Sequence, residues 1–291
     1  MTMTFREGTF SSQDGLSLYY RDYGNRLADA PVILCLPGLT RNSKDSHNLA
    51  TRLSGTYRVI CPDYRGRGKS AYDPNYKNYH PFTYINDIHH LLTVLNIHQI
   101  VAIGTSMGGI LTMALSAVMP SILLSAVIND VGPDIDESGI ERIIGYIGDD
   151  TPRKDWESAV AHLKTVMKDP GLQTDGDWME LAKSSYKETE AGDLRIDWDP
   201  AIARALVEQD QDEVDLWPLF RALGERPVLG VRGGVSDILS AETFQKMEAS
   251  LSNFTGITVP NVGHTPSLKE NGVPEAIDQL LSSVQTQHSK H

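Results

Sequence analysis

The amino-acid sequence predicts an α/β fold: a doubly wound, mostly parallel eight-stranded sheet with helices on both faces and a helical cap inserted after the sixth strand. Three observations predict it. Short continuous apolar runs, among them Pro31-Val32-Ile33-Leu34-Cys35-Leu36 and Tyr57-Arg58-Val59-Ile60-Cys61, alternate with segments of helical period. That is the pattern of parallel strands buried on both faces and joined by crossover helices. The alternation stops near Pro133 and resumes near Trp217. Finally, Gly104-Thr105-Ser106-Met107-Gly108 stands between the apolar run at 100–103 and a helix-like stretch from Gly109 to Leu115.

Taken in order, residues 5–12 and 16–23 read as an N-terminal hairpin or meander, with Leu16, Leu18 and Tyr20 alternating on one face. Strands follow at 31–36, 57–61, 100–103 and 124–128, with helical patterns around 46–54, 83–96 and 107–119. After the interruption come a strand at 227–233, a helix near 241–251, a strand at 257–260 and a helix near 274–285. This divides the chain into a core, residues 1–132 with 218–291, and a helical cap of residues 133–217. Gly132-Pro133 and Trp217-Pro218 punctuate the two crossings and are the expected hinges.

Composition narrows the function classes. A chain of 291 residues, 40% hydrophobic, is long enough for a large core. The net charge of −12 lies wholly in the inserted segment, where residues 134–215 carry 22 acidic against 9 basic residues; the remainder has 16 acidic and 17 basic. With no basic cluster interleaved with aromatics, nucleic acid is not an expected partner. The first residues, Met1-Thr2-Met3-Thr4-Phe5-Arg6-Glu7, show neither an apolar stretch nor a small-residue cleavage site, and no run approaches a membrane span. The expectation is a cytoplasmic protein with a small-molecule substrate, no membrane partner and no readable oligomeric state. Cys35 and Cys61 lie in strand-like runs and read as packing. No cofactor or metal motif is visible. Gly68-Lys69-Ser70 ends like a phosphate-binding loop, but that motif needs glycine at 63, where the chain has Asp63. All four tryptophans, Trp156, Trp178, Trp198 and Trp217, fall in the insert. Core packing is expected for most, with one or two lining a pocket.

The segment 104–108 carries the chemistry. A serine on a sharp strand-to-helix turn has crowded backbone geometry, and small residues two before and two after relieve it. Its hydroxyl then projects from the strand end, and the Met107 amide at the helix N-terminus is left to donate to a developing oxyanion. Two further residues fall at the ends of later predicted strands: Asp237 in Gly233-Gly234-Val235-Ser236-Asp237 and His264 in Asn261-Val262-Gly263-His264. Sites in open α/β sheets gather at that edge. Ser106, Asp237 and His264 are therefore expected to form a nucleophile, acid and base set. Asp130, in Asn129-Asp130-Val131-Gly132-Pro133, also follows a strand and is the competing acid.

These residues together resemble the α/β-hydrolase superfamily, serine hydrolases with an inserted cap. Asp63-Tyr64-Arg65-Gly66-Arg67-Gly68-Lys69-Ser70 matches the D-x-x-G-x-G-x-S turn of many such enzymes, and His264-Thr265-Pro266-Ser267-Leu268 their G-H-x-P-x-L segment. Pro37-Gly38-Leu39 is similar to the His-Gly-x turn that supplies the second oxyanion donor, with proline in place of histidine, so Leu39 N–H joins Met107 N–H in the expected hole. The resemblance implies acyl transfer through a covalent intermediate on carboxylic esters of small to medium, largely apolar substrates. A carbon-carbon bond hydrolase of ring-cleavage products, a lactonase and a perhydrolase share these motifs, and a non-catalytic ligand-binding protein of this fold is the reading of another class. Arg41, in the loop after Leu39, is the candidate cation for an acidic substrate, against the alternative of an arginine paired with a neighbouring loop acid.

Overall fold

Successive side chains of the central strands enter two different apolar layers, which is why the sequence there reads as unbroken hydrophobic runs. In the computed structural model, which describes residues 5–27, 30–167, 171–208 and 214–288, Leu34, Leu36, Ile60, Ile100, Ala102 and Ile128 belong to one layer. Ile33, Cys35, Val59, Cys61, Val101 and Ile103 belong to the other. Cys35 and Cys61 are buried free thiols, and burial pushes the Cys61 thiol well above its ordinary range.

The eight strands are β1 (Phe5–Ser11), β2 (Ser17–Tyr23), β3 (Val32–Leu36), β4 (Val59–Pro62), β5 (Ile100–Thr105), β6 (Leu123–Asn129), β9 (Val228–Gly233) and β10 (Phe254–Val259). Their order is β1-β2-β4-β3-β5-β6-β9-β10. β1 and β2 form the expected antiparallel hairpin, and β2 runs antiparallel to β4. The remaining neighbours are parallel. Helices α2 (Pro81–Val94), α3 (Met107–Val118) and α9 (Ala241–Ser250) contribute to the first layer. Helices α1 (His47–Leu53) and α10 (Val273–His288) contribute to the second. Strand order reverses at β3, which has β4 on one side and β5 on the other. A crevice opens at such a switch point beyond the strands' carboxyl ends.

The chain leaves the sheet after β6 and returns at β9. The inserted segment holds α4 (Glu137–Ile147), α5 (Trp156–Val166), α6 (Asp175–Ser185) and α7 (Ala201–Glu208). The first three helices begin at side chains that accept first-turn amides: Asp136, Asp155 and Thr174, the last two in reciprocal capping boxes with Ser158 and Asp177. The segment is not wholly helical as the sequence predicts: β7 (Tyr186–Glu188) and β8 (Leu194–Ile196) form a hairpin between α6 and α7. Three-residue strands are too short to show a period of two. The short helix α8 (Trp217–Arg221) crosses the expected boundary at 217–218, and Phe220 within it is fully buried in the first layer.

Residues 66–68 hold the insert against the core. Gly68 N–H donates to the Asp197 carbonyl at 2.9 Å and Asp199 N–H to the Gly66 carbonyl at 2.7 Å, with Arg67 and Trp198 paired antiparallel between them. The tryptophans pack rather than line a pocket. Trp178 and Trp198 are buried, their indole N–H groups donating to the Leu172 and Ile147 carbonyls. Trp156 and Trp217 pack on the same layer from its margin, and none of the four reaches the cavity described next. No helix among the described residues is long and apolar enough to cross a membrane.

Candidate active site

Ser106 sits between the end of β5 and the start of α3 with φ 53° and ψ −121°, a positive φ that side chains seldom adopt. The flanking glycines make the turn possible by close approach. A Cβ on Gly104 would lie 2.3 Å from the Gly108 carbonyl oxygen, and one on Gly108 would lie 2.0 Å from the Leu36 carbonyl oxygen. Ser106 N–H donates to the Asn129 carbonyl at 2.9 Å, and the Ser106 carbonyl accepts Gly109 N–H at 2.8 Å. Met107 is the first residue of α3, so its amide belongs to the free N-terminal turn at the positive end of a 12-residue helix.

The turn Pro37-Gly38-Leu39 leaves the end of the neighbouring strand β3 and lies against the serine. A Cβ on Gly38 would be 3.7 Å from Ser106 Cβ. Gly38 accepts Arg41 N–H at 3.1 Å. Leu39 and Ser106 share the wall of one cavity, and Met107 is the next residue in the chain.

His264 arrives from the loop after β10. Its Nε2 is 2.9 Å from Ser106 Oγ, and its Nδ1 is 2.9 Å from Asp130 Oδ2. Asn129 secures that loop by donating to the Pro266 carbonyl at 2.9 Å while also reaching Thr105 Oγ1 at 3.2 Å. Asn129 was not singled out in the sequence, and nothing but its place beside Asp130 marks it.

The expectation that Asp237 faces His264 is corrected: Asp130 occupies that position. Asp130 directly follows β6, adopts φ 54°, and donates its N–H to the Val231 carbonyl at 2.7 Å. Its Oδ1 accepts Gly233 N–H at 2.7 Å, leaving Oδ2 for the imidazole, and the side chain is completely buried. Asp237 instead faces the insert. Asp136 N–H donates to the Ile238 carbonyl at 3.0 Å, and Gly139 lets α4 sit against the Asp237 backbone, where a Cβ would fall 2.4 Å from its carbonyl oxygen. Arg142 on α4 then clasps the Asp237 carboxylate through Nε at 2.6 Å and Nη2 at 2.9 Å. Burial pushes the Asp237 carboxyl up, but the Arg142 hydrogen bonds and charge, with His264 nearby, outweigh it and hold the group below its ordinary 3.8.

A cavity of about 680 Å³ opens over Ser106 and His264, within the range of small-molecule sites. The insert supplies Ile143, Tyr146, Met167, Leu172 and Leu181 to its wall; the core supplies Leu49 from α1 and Val235 and Leu268 from loops. Arg41 also lines it, but its guanidinium is occupied. Nε and Nη2 bind Asp45 at 2.6 and 2.7 Å, while Nη1 and Nη2 donate to Ser185 Oγ and Ser184 Oγ at 2.5 and 2.6 Å. The other cations on the wall are likewise matched: Lys44 with Asp197, Arg142 with Asp237 and Lys269 with Glu180. No cluster of metal-ligating side chains occurs among the described residues.

Residues 33–276 match the model of the alpha/beta hydrolase family. The chain belongs to that family. A solved alpha/beta hydrolase from Novosphingobium aromaticivorans has 40% identity, with a TM-score of 0.91 over 97% of this chain and 99% of that one. Among curated proteins, 3-hydroxybutyrate-oligomer hydrolase of Cupriavidus necator is 35% identical over 85% of this chain and 87% of its own length. 2-(Acetamidomethylene)succinate hydrolase of Mesorhizobium japonicum is 27% identical over 86% and 85%. This α/β hydrolase is therefore an enzyme of hydrolysis.

Proposed function

We propose that this α/β hydrolase is a serine hydrolase that cleaves carboxylic esters through an acyl-enzyme. The observation that carries the reading is the unbroken relay from Ser106 Oγ through His264 to the buried Asp130 carboxylate, with 2.9 Å at each step. Ser106 Oγ attacks the ester carbonyl carbon as His264 Nε2 takes its proton. Asp130 holds the Nδ1–H tautomer and stabilises the imidazolium. Leu39 and Met107 amides receive the charge that develops on the carbonyl oxygen. The carbon–oxygen bond to the alcohol breaks as His264 returns the proton to the leaving oxygen. Water, deprotonated by His264, then attacks the acyl carbon, releasing the acid and restoring Ser106.

The insert acts as a cap in this reading, since its apolar side chains roof the cavity above Ser106. Similarity to the 3-hydroxybutyrate-oligomer hydrolase along most of both chains favours esters of short hydroxy acids. The test is hydrolysis of linear 3-hydroxybutyrate dimer and trimer beside p-nitrophenyl esters from acetate to decanoate, with Ser106→Ala in parallel. Saturable turnover that favours the hydroxybutyrate esters and disappears in Ser106→Ala supports the proposal. Ser106-dependent turnover of carbon-carbon or lactone substrates with none on esters overturns the substrate class, and turnover retained by Ser106→Ala overturns the mechanism.

A further inference from the structure

The turn that presents Leu39 starts at Pro37, which has neither a backbone N–H nor a polar side chain, so its orientation depends on other groups. The chain offers an unusual one. Arg67, in the loop after β4, is 0% exposed and has no carboxylate partner among the described residues. Its neighbour Arg65 is 1% exposed and binds Asp14, Asp73 and Asp87 together. Burying a guanidinium without an acid is costly, and such a group persists where its hydrogen bonds have a use.

Arg67 Nε donates to the Leu39 carbonyl at 2.8 Å, and Nη1 donates to the Arg65 carbonyl and Tyr84 Oη at 2.7 and 2.8 Å. The guanidinium carbon stands 4.9, 5.5 and 6.0 Å from the ring centres of Tyr84, Tyr79 and Tyr64, so aromatic faces supply the counter-charge. Three successive carbonyls of the turn are each held. Tyr64 Oη donates to Pro37 at 3.3 Å, Arg41 N–H to Gly38 at 3.1 Å, and Arg67 Nε to Leu39 at 2.8 Å. The peptide between Gly38 and Leu39 carries the Leu39 N–H. A trans peptide directs that N–H opposite to the Gly38 carbonyl, so fixing the peptides before and after it fixes the donor.

We propose that Arg67 is a positioning residue for the oxyanion turn, holding the Leu39 carbonyl so that the Leu39 N–H is fixed before substrate arrives. The inference rests on the serine-hydrolase reading above. A planar fork serves the Leu39 and Arg65 carbonyls from one rigid head, which a lysine ammonium on a flexible stem does not reproduce. The geometry also explains why the insert grips residues 66–68 on both sides of Arg67: the brace is itself braced.

The experiment compares wild type, Arg67→Met and Arg67→Lys for kcat, KM, melting temperature and affinity for a trifluoromethyl ketone, whose adduct with Ser106 places an oxyanion in the hole. We expect kcat to fall about 10- to 100-fold in Arg67→Met, below the loss commonly seen when an oxyanion donor is removed outright. KM should stay within about threefold, ketone affinity should fall in step with kcat/KM, and lysine should restore part of both. A folded Arg67→Met with unchanged kcat/KM, or with lowered kcat and unchanged ketone affinity, overturns the proposal. If Arg67→Met shows no cooperative melt, Arg67→Lys decides by the same two readouts. Ser106→Ala separates the two levels: turnover that depends on Ser106 but not on Arg67 removes only the positioning role.

Discussion

The loops after β6 and β9 leave adjacent parallel strands at the same edge of the sheet, and each carries an aspartate, yet only one of them reaches the histidine. Asp130 comes directly off β6, is turned by its own positive φ, and is tied to β9 twice, its N–H donating to the Val231 carbonyl and its carboxylate accepting Gly233 N–H. Asp237 lies farther along its loop, is 37% exposed at its side chain, and is drawn toward α4. One carboxylate is fixed by the sheet and buried against an imidazole; the other is fixed by the insert and faces a guanidinium. Position at a strand end therefore supplies candidates, and the backbone contacts of the following few residues decide which candidate reaches the site.

The largest expected effect separates the relay from everything else. Ser106→Ala should lower kcat by about a millionfold, and His264→Ala by a similar factor, because members of such a relay act as a unit. Steady-state hydrolysis of one ester at fixed pH measures both, and the double variant should be scarcely worse than either. A much smaller next effect probes the loop after β9. Asp237→Asn and Arg142→Ala should each change kcat/KM by less than about tenfold, and the double variant should fall short of the product of the singles, since both remove one contact.

Arg41→Ala sharpens the contrast between a group that lines the cavity and one available to a substrate. Its guanidinium is committed to Asp45, Ser184 and Ser185. The variant should raise KM to the same small extent, about twofold, for neutral and anionic esters. A selective rise for anionic esters would restore the substrate-binding role that the sequence suggests for Arg41. The smallest effect is on stability. Asp237 is held below its ordinary pKa, so the folded state favours its charged form. The stability it contributes is therefore fully present above that ordinary value and disappears as pH falls through the lowered one. For a partly exposed pair, Arg142→Ala should lower the melting temperature by about 1–3 °C at pH 7, a gap that should be smaller at pH 3, below the ordinary 3.8. Melting curves at the two pH values check it.

Much of this fold is legible in the sequence because its central strands are buried on both sides. β3 and β5 show as unbroken apolar runs, β9 as an apolar run interrupted by Arg232, and α2 and α3 as helical patterns. Ser106 is legible for a different reason, since Gly104 and Gly108 stand where no Cβ fits. The acid is not. Asp130 and Asp237 both follow predicted strands, and the distinction lies in a backbone twist at 130 and in a helix packed against 237 through Gly139, neither of which leaves a local pattern. Tryptophan placement fails similarly: the four indoles mark where the insert packs, but composition does not say which face of a helix meets the cavity. Arg67 is hidden within a glycine-rich turn whose residue spacing concerns the turn itself. Its partner, the Leu39 carbonyl, lies 28 residues earlier in the chain.

The most direct measurement is kcat/KM of Asp130→Asn against Asp237→Asn on the same ester, with both proteins shown to melt cooperatively. With Asp130 as the residue that orients His264, its asparagine variant should lose about ten-thousandfold while the Asp237 variant stays within tenfold of wild type. The reverse ranking would contradict the account and return the acid to the loop after β9.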